Sequence, residues 1–529
     1  MRPPVEIWGK SASEGIFTGP VATLGGMSLA PGPARGPEIE AKELIAAIQS
    51  AISSIHALMN EHKGDAADIL EFQVAMLEDV GLRELALAGI AGGASARAAW
   101  WAALDHEIHA YVKTAEEVFS ARAADLRDIR DRVLRALSGK AAAVLQQGSI
   151  LVGDDLPPSL FLETDWSRGG AIVLRKGSTA SHVALLARAR GVPMVVGIGD
   201  ELPESCKLAI VDGTTGLVLA HPTAELVATY ETRRAAEIAT RDRQDEFLLK
   251  PARLRDGTAI DVLVNIASLE ELTVIDPASC GGIGLVRSEF LFPDGAALPG
   301  EDEQFVAYSK ILQWAQGRPV TIRTLDAGGD KPLRGLVAEG SKNPLLGLRG
   351  VRLTLQRPDM FRTQLRALAR AAIGGNLKIM LPMVSWPGEL EQSQMHLDQC
   401  VSELQAEGTP CARPPLGIMV EVPAAAIAPQ LFGQAAFFSI GTNDLTQFVT
   451  ATSRADTSAS HPADLVHPAV LHLIANVASH GRKHHVPVSV CGDMASNPQQ
   501  VPLLIQAGIT SFSVSPAALS RVKAALSRI

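Results

Sequence analysis

Cysteine is scarce in this 529-residue chain: five residues, Cys206, Cys280, Cys400, Cys411 and Cys491, none in a CxxC pair and one left over from any pairing. That usage argues against a disulfide scaffold or a Cys-rich zinc module and reads as reduced thiol in the cytoplasm. Aromatic residues make up only 4%, and no stretch approaches the roughly 18 consecutive apolar residues of a membrane span. The opening MRPPVEIWGKSASEG lacks the apolar core of a secretory leader. Positive charge is not in surplus either: 48 Lys and Arg stand against 57 Asp and Glu, a formal charge of −9 with no long basic run. That balance speaks against a general nucleic-acid or acidic-membrane surface, so any anion must be bound locally. Two phosphate motifs are missing as well. Gly9 to Ser11 reads GKS, but Pro4 stands where a P-loop needs its first glycine, and no G-x-G-x-x-G follows a strand. Nucleotide is thereby disfavoured as a phosphate source. What is present is ordinary globular composition, 47% hydrophobic and 20% charged, in a chain long enough for about three domains.

Patterning divides the chain. A strand-like segment at Gly15 to Leu24 precedes a Gly/Pro-rich stretch, and from Glu38 to about Leu137 the sequence becomes Ala-rich and Pro-free with helical spacing. Phe119, Ala123, Leu126, Ile129, Val133 and Leu137 form one buried stripe there. Short β-type runs follow at 150–152, 171–174, 194–196 and 208–211, with one helical stretch among them. Residues 224–249 are highly charged and helical, the composition of a connecting helix and a hinge. Beyond Pro251, eight apolar runs alternate with amphipathic stretches: 259–266, 282–286, 320–324, 378–383, 416–420, 437–440, 486–490 and 511–514. Eight such units in one C-terminal region predict a (β/α)8 barrel, whose strand ends converge on one mouth.

Chemistry gathers where those elements end. In RKGSTASHVALLARARGVPMVVG a strand runs into a Gly/Ser/Thr loop and a helix starts near Ser181, placing His182 in its first turn. Unpaired amides and the positive end of the helix dipole suit a phosphate, and neutral imidazole is a competent nucleophile toward phosphorus. A helix-capping histidine with no such role is the plainer alternative. Arg287 in GIGLVRSEFLF and Arg323 in TIRTLDAGGDKPL, with Lys331 and Arg349 nearby, offer forked donors for a phosphate or carboxylate; surface salt bridges are the alternative for any one alone. Glu421 and Asp444, with Asn443 adjacent, present hard oxygens at two successive strand ends, a set that suits Mg²⁺ or Mn²⁺, or else pairing with the arginines. Cys491, in SVCGDMAS, could donate a proton or simply fill space as a buried thiol. His461, His467, His484 and His485 read as loop or surface positions.

Taken in order, RAADLRDIRDRVL, the SH-containing segment at His182, GIGLVRSEFLF, IRTLDAGGDKPL, NPLLGLRGVRL, IMLPMVS, GIMVEVPAAA, FFSIGTNDLTQF and CGD resemble the enzyme I family of the phosphoenolpyruvate:sugar phosphotransferase system over nearly the whole chain. The resemblance implies an α/β multidomain fold. Residues 1–37 and 139–223 would form a phosphohistidine α/β domain, 38–138 a helical insert that docks the phosphocarrier HPr or a nitrogen-type homologue, 224–250 a linker helix, and 251–529 a TIM barrel that binds phosphoenolpyruvate and forms a homodimer. It implies that His182 accepts the phosphoryl group, and that Arg287, Arg323, Arg349, Arg454 and Asn443 hold phosphoenolpyruvate with Lys331 close by. Glu421 and Asp444 would bind magnesium, and Cys491 would protonate the enolate to give pyruvate. The expected docking surface includes the acidic LED run at Leu77 to Asp79 with Glu71. A swing about segments near 145 and 225–250 would carry His182 between two stations. Departures from the usual pattern fall at Ser178, Ala180 and Val183 around the histidine, at Asp493 where Glu is usual after CG, and at Gln73 where many members carry His. A dikinase-type pyruvate phosphotransferase and a poorly catalytic carrier-binding module remain as alternatives. The chain ends soon after the eighth run, as expected for a free-standing form.

Overall fold

The computed structural model of the chain describes residues 3–24, 34–61, 65–112, 117–139, 147–179, 181–269, 271–292, 298–328, 346–452 and 466–529. Its residues divide into two compact units, Met1–Thr240 and Arg241–Ile529.

The first unit joins a helical insert to an eight-stranded sheet. Strands β1 (Val5–Trp8), β2 (Lys10–Ser13) and β3 (Ile16–Thr23) precede helices α1 (Pro37–Glu61), α2 (Asp65–Glu78), α3 (Val80–Ala91), α4 (Ala96–Val112) and α5 (Glu117–Ser138). Then come β4 (Ile150–Gly153), α6 (Pro158–Glu163), β5 (Ala171–Leu174), α7 (His182–Arg190), β6 (Met194–Val196), β7 (Leu208–Asp212), β8 (Leu217–Ala220) and α8 (Ala224–Asp245). The sheet order is β1-β8-β7-β3-β4-β5-β6-β2, with β3 to β6 parallel in their pairings with one another. Every residue of β4 and β5 is buried, as expected of parallel strands covered on both faces. Side-chain alternation decides what covers each face. Leu151, Ile172, Leu174 and Met194 pack with insert residues such as Leu44, Trp100 and Ile129, whereas Ile150, Val152, Val173 and Val195 face a second core with Val211 and Val218. Each such side chain contributes about 1.5–3 kcal/mol on burial. Val183, Ala184 and Ala187 of α7 join the first core, so α7 lies on the insert's side of the sheet. On α5, Leu126, Ile129 and Val133 are buried and Leu137 partly so; the side chains of Phe119 and Ala123 fall outside the described set. Helix α8 buries no residue.

The second unit contains a closed barrel of eight parallel strands: β9 (Asp261–Ile266), β10 (Ile283–Arg287), β11 (Val320–Arg323), β12 (Leu377–Leu381), β13 (Leu416–Val420), β14 (Phe438–Ile440), β15 (Val488–Val490) and β16 (Ser511–Val514). All eight fall within two residues of the runs read from sequence. Here too the period of two sorts the side chains. Ile283, Val286, Ile379, Ile418, Val420 and Val490 pack outward under the helices. Leu285, Met380, Met419 and Cys491 form a separate inner cluster. Two residues past Leu285 and Met419 on the same inner rows stand Arg287 and Glu421, which places both at the C-terminal mouth. The turn after α8 is tied to this unit by Lys523, whose buried Nζ donates to the carbonyls of Leu248 (2.8 Å), Lys250 (3.0 Å) and Ser279 (2.7 Å). No helix among the described residues is long and apolar enough to cross a membrane.

Candidate active site

His182 opens α7 behind Ser181, whose extended backbone and side-chain oxygen cap the helix by accepting from Ala184 N at 3.3 Å. The preceding loop is pinned from within the helix: Arg188 Nη1 donates to Thr179 O and Ala12 O, both at 2.9 Å. Gly177 takes φ +109, a conformation that side chains other than glycine rarely adopt. Ser178 is not among the positive-φ residues, so the backbone tolerates a Cβ where a second glycine is usual. Val183 is 3% exposed and packs into the core, so its apolar side chain meets no unsatisfied demand; Ala180 lies outside the described residues. The His182 imidazole is 38% exposed, and its Nδ1 lies 3.7 Å from Oδ2 of Asp125, itself 2% exposed with its Oδ1 buried and without a hydrogen-bond partner. Nδ1 is thus the imidazole nitrogen that faces the acid.

Asp125 carries no role in the sequence reading, although it stands inside the quoted RAADLRDIRDRVL stretch. Two acids, Asp125 and Asp128, beside the buried Leu126 and Ile129 are the signal that was available. Asp128 is a structural tie: it accepts from Gln73 Nε2 (2.9 Å), Ser159 N (3.0 Å) and Ser159 Oγ (2.6 Å), binding α2 and α5 to α6. Gln73 is thus fully buried and is not a surface determinant. Of the acidic docking run, Glu71, Glu78 and Asp79 are exposed, but Leu77 is buried in the core. Asp79 caps α3 and, with Glu84, Glu107, Met76, Leu82, Leu85 and Leu126, lines a groove of about 700 Å³.

The second constellation lies wholly within the barrel unit. One pocket is lined by Arg287, Arg323, Arg349, Glu421, Asn443, Asp444 and Cys491, together with Asp326 and the backbone of Gly441 and Gly492. Arg349 is forked onto Asp326, Nε to Oδ1 at 3.2 Å and Nη2 to Oδ2 at 2.9 Å, while its Nη1 lies 3.5 Å from Asp444 Oδ1 and makes no hydrogen bond. Arg323 Nη2 donates to Glu289 Oε1 at 2.9 Å and Nη1 lies 3.3 Å from Asp326, leaving Nε buried without a partner. Burial works against both guanidinium charges, but Glu289, Asp326 and Glu421 around Arg323, and Asp326, Asp444 and Glu421 around Arg349, more than offset it and hold both pKa values above the ordinary arginine range. Two fixed cations with spare N–H groups in one buried pocket suit an anion.

Glu421 accepts from Met383 N at 2.7 Å. Met383 donates from a left-handed backbone, φ +59, a conformation worth about 1–3 kcal/mol of strain that the packing must hold. Burial, then the neighbouring Asp326 and Asp444, push the Glu421 carboxyl well above the ordinary carboxylate range against the opposing pull of Arg323. Glu421 and Asp444 line one pocket and offer only hard oxygen, the donor type that suits a divalent cation, while no group of three or more possible metal ligands is gathered among the described residues. Cys491 is buried, and burial pushes its thiol up to about 11, so it stays protonated near neutrality. Asn443 and Asp444 sit in the first turn of the helix Thr442–Thr450. Lys331 and Arg454 lie outside the described residues. Glu289, Asp326 and Met383 were missed from sequence: the first two stand in the quoted arginine motifs, and two buried guanidinia need counter-charges.

Residues 241–529 match the family model of the PEP-utilising enzyme PEP-binding domain, 145–216 that of the mobile domain, and 8–122 that of the N-terminal part. The chain belongs to the PEP-utilising enzyme family. Among this family's members, a phosphoenolpyruvate-protein phosphotransferase of Cupriavidus necator is 36% identical over 512 residues, covering 92% of this chain and 87% of its own. One from Geobacillus stearothermophilus is 37% identical over 422 residues (78% and 73%), and one from Haloferax volcanii is 40% identical over 415 residues (77% and 72%).

Proposed function

We propose that this chain is a phosphoenolpyruvate-protein phosphotransferase: it moves the phosphoryl group of phosphoenolpyruvate to its own His182 and then to a histidine-bearing carrier protein, releasing pyruvate. The observation that carries this reading is the barrel-mouth pocket, which gathers buried arginines, paired carboxylates and a protonated thiol at the strand ends of a PEP-utilising barrel. In it, Arg287, Arg323 and Arg349 balance the phosphate and carboxylate charges, with Asn443 on the phosphate; the resemblance adds Arg454 and Lys331, which lie outside the described residues. Glu421 and Asp444 are the residues that would hold a divalent cation, magnesium or manganese. When bound, that cation supplies neutralisation of charge on the transferring group.

His182 Nε2 forms its bond to phosphorus as the bridging P–O bond breaks, and the electron pair leaves with the enolate of pyruvate. The Cys491 S–H then gives its proton to the enolate carbon, yielding the methyl group of pyruvate. Because His182 must serve both the barrel pocket and a carrier docked on the insert, the reading includes a swing about the segments near 145 and 225–250; the segment near 145 lies outside the described residues. The acidic groove of the insert is the docking surface for a carrier with a basic, partly apolar face. The resemblance adds a homodimer through the barrel and a cytoplasmic setting.

Incubation with radiolabelled phosphoenolpyruvate tests the reading. Label should appear on His182, pass to a carrier, and vanish in His182→Ala while that variant still binds phosphoenolpyruvate. A wild-type protein that takes up no label would falsify the assignment.

A further inference from the structure

The pair Asn443 and Asp493 is closed by two reciprocal hydrogen bonds: Asn443 Nδ2 donates to Asp493 Oδ2 at 2.9 Å, and Asp493 N donates to Asn443 Oδ1 at 2.8 Å. The chemistry of the partners fixes the amide's orientation. Only an acceptor can face the Asp493 N–H, and only a donor can face a carboxylate, so the amide cannot be turned over without losing both bonds. One N–H of Asn443 is then left for the pocket that this residue lines. A second observation concerns Gly492. A Cβ there would meet Thr442 Oγ1 at 2.0 Å, Thr442 N at 2.6 Å and Asn443 Oδ1 at 2.9 Å, so the backbone after β15 presses directly on the first turn of the helix Thr442–Thr450. Cys491 is the residue immediately before this contact, and it lines the same pocket.

From this juxtaposition we infer that Asp493 is a positioning residue: its carboxylate holds the amide of Asn443 in register with Cys491, so that the group contacting the phosphate and the proton donor form one rigid edge of the pocket. The inference rests on the phosphotransferase reading and adds to it a residue that does not touch the substrate. It also gives a physical meaning to an aspartate at a position where glutamate is usual. The short arm and its own backbone N–H together close the ring with the Asn443 amide.

Charge is the competing explanation, and it predicts the opposite pattern. Asp493 is solvent-exposed, and a carboxylate beside an anion site opposes binding through its field, so its use here is as a hydrogen-bond acceptor. Asparagine at 493 keeps an acceptor oxygen and removes the charge, whereas alanine removes both.

Phosphoenolpyruvate affinity is measured by titration calorimetry, in the presence of magnesium, for the wild type and for Asp493→Ala and Asp493→Asn, alongside steady-state kcat and KM. Asp493→Ala should lose about tenfold or more in affinity and in kcat/KM, without a change in Tm because the side chain is exposed. Asp493→Asn should return both to near the wild-type values. Wild-type affinity in Asp493→Ala, or equal losses in the two variants, would overturn the inference. Failure of the wild type to label His182 counts against the transfer reading alone, because the affinity comparison stands without turnover.

Discussion

His182 and Arg349 would act on the same phosphoryl group, yet the chain holds them very differently. The imidazole stands 38% exposed at a helix start, with a carboxylate oxygen at 3.7 Å as its near electrostatic neighbour. The guanidinium is 5% exposed, forked onto Asp326 and flanked by Asp444. A group that must travel between two protein surfaces cannot be locked into one, whereas a group that fixes the substrate works only if nothing around it yields. The contrast also orders the expected cost of mutation: large where the side chain is over-determined, small where it is lightly held.

The sharpest test of that contrast is Arg349→Ala. It deletes a proposed substrate contact and leaves Asp326 buried without its forked partner. We expect phosphoenolpyruvate kcat/KM to fall on the order of a thousandfold and denaturant unfolding to show a loss of about 3–5 kcal/mol. A variant that binds weakly yet keeps wild-type stability would mean that the pocket is less tightly built than its hydrogen bonds indicate. Next in size is Cys491→Ser, which exchanges the thiol for a much weaker acid and should slow pyruvate formation about a hundredfold while phosphate still reaches His182. The wild-type pH profile carries its own check. Burial raises the thiol to about 11, so the proton-bearing form persists through neutrality, and loss of activity from this group should begin only as pH rises toward that value. An alkaline loss near pH ~8, abolished by Cys491→Ser, would contradict the protonated-donor role. The smallest effect is expected on the mobile side. Asp125→Asn removes a buried acid whose Oδ1 has no hydrogen-bond partner, so stability should change by no more than about 1 kcal/mol and labelling of His182 by a few-fold. A loss as large as that of Arg349→Ala would erase the distinction between the two sites.

The same contrast shows in what the sequence disclosed. The barrel strands were legible because each is a short, largely apolar run between helices, and His182 was legible because the Ser181 cap announces a helix start. Strands β1 and β2 escaped because edge strands such as VEIW and KSAS keep half or more of their side chains in water and show no buried run. Strand β8 was lost against the turn signals around Pro222, although all four residues of LVLA are buried. In the pocket, the arginines could be read as anion binders from their type alone. Glu289 and Asp326 could not be assigned to them, because a counter-charge is a property of the fold and not of any local spacing. Met383 was least accessible: its contribution is a backbone N–H on Glu421, and nothing in a methionine announces a left-handed φ.

The three carbonyls gathered by Lys523 are all main-chain groups. They hold the chain just beyond α8 at Leu248 and Lys250 against the helix that carries Lys523, so the barrel unit grips its own entry by main-chain acceptors rather than by any particular side chain of 248–250. Substitutions at those three positions leave the grip intact, whereas loss of the single ammonium group releases all of it at once.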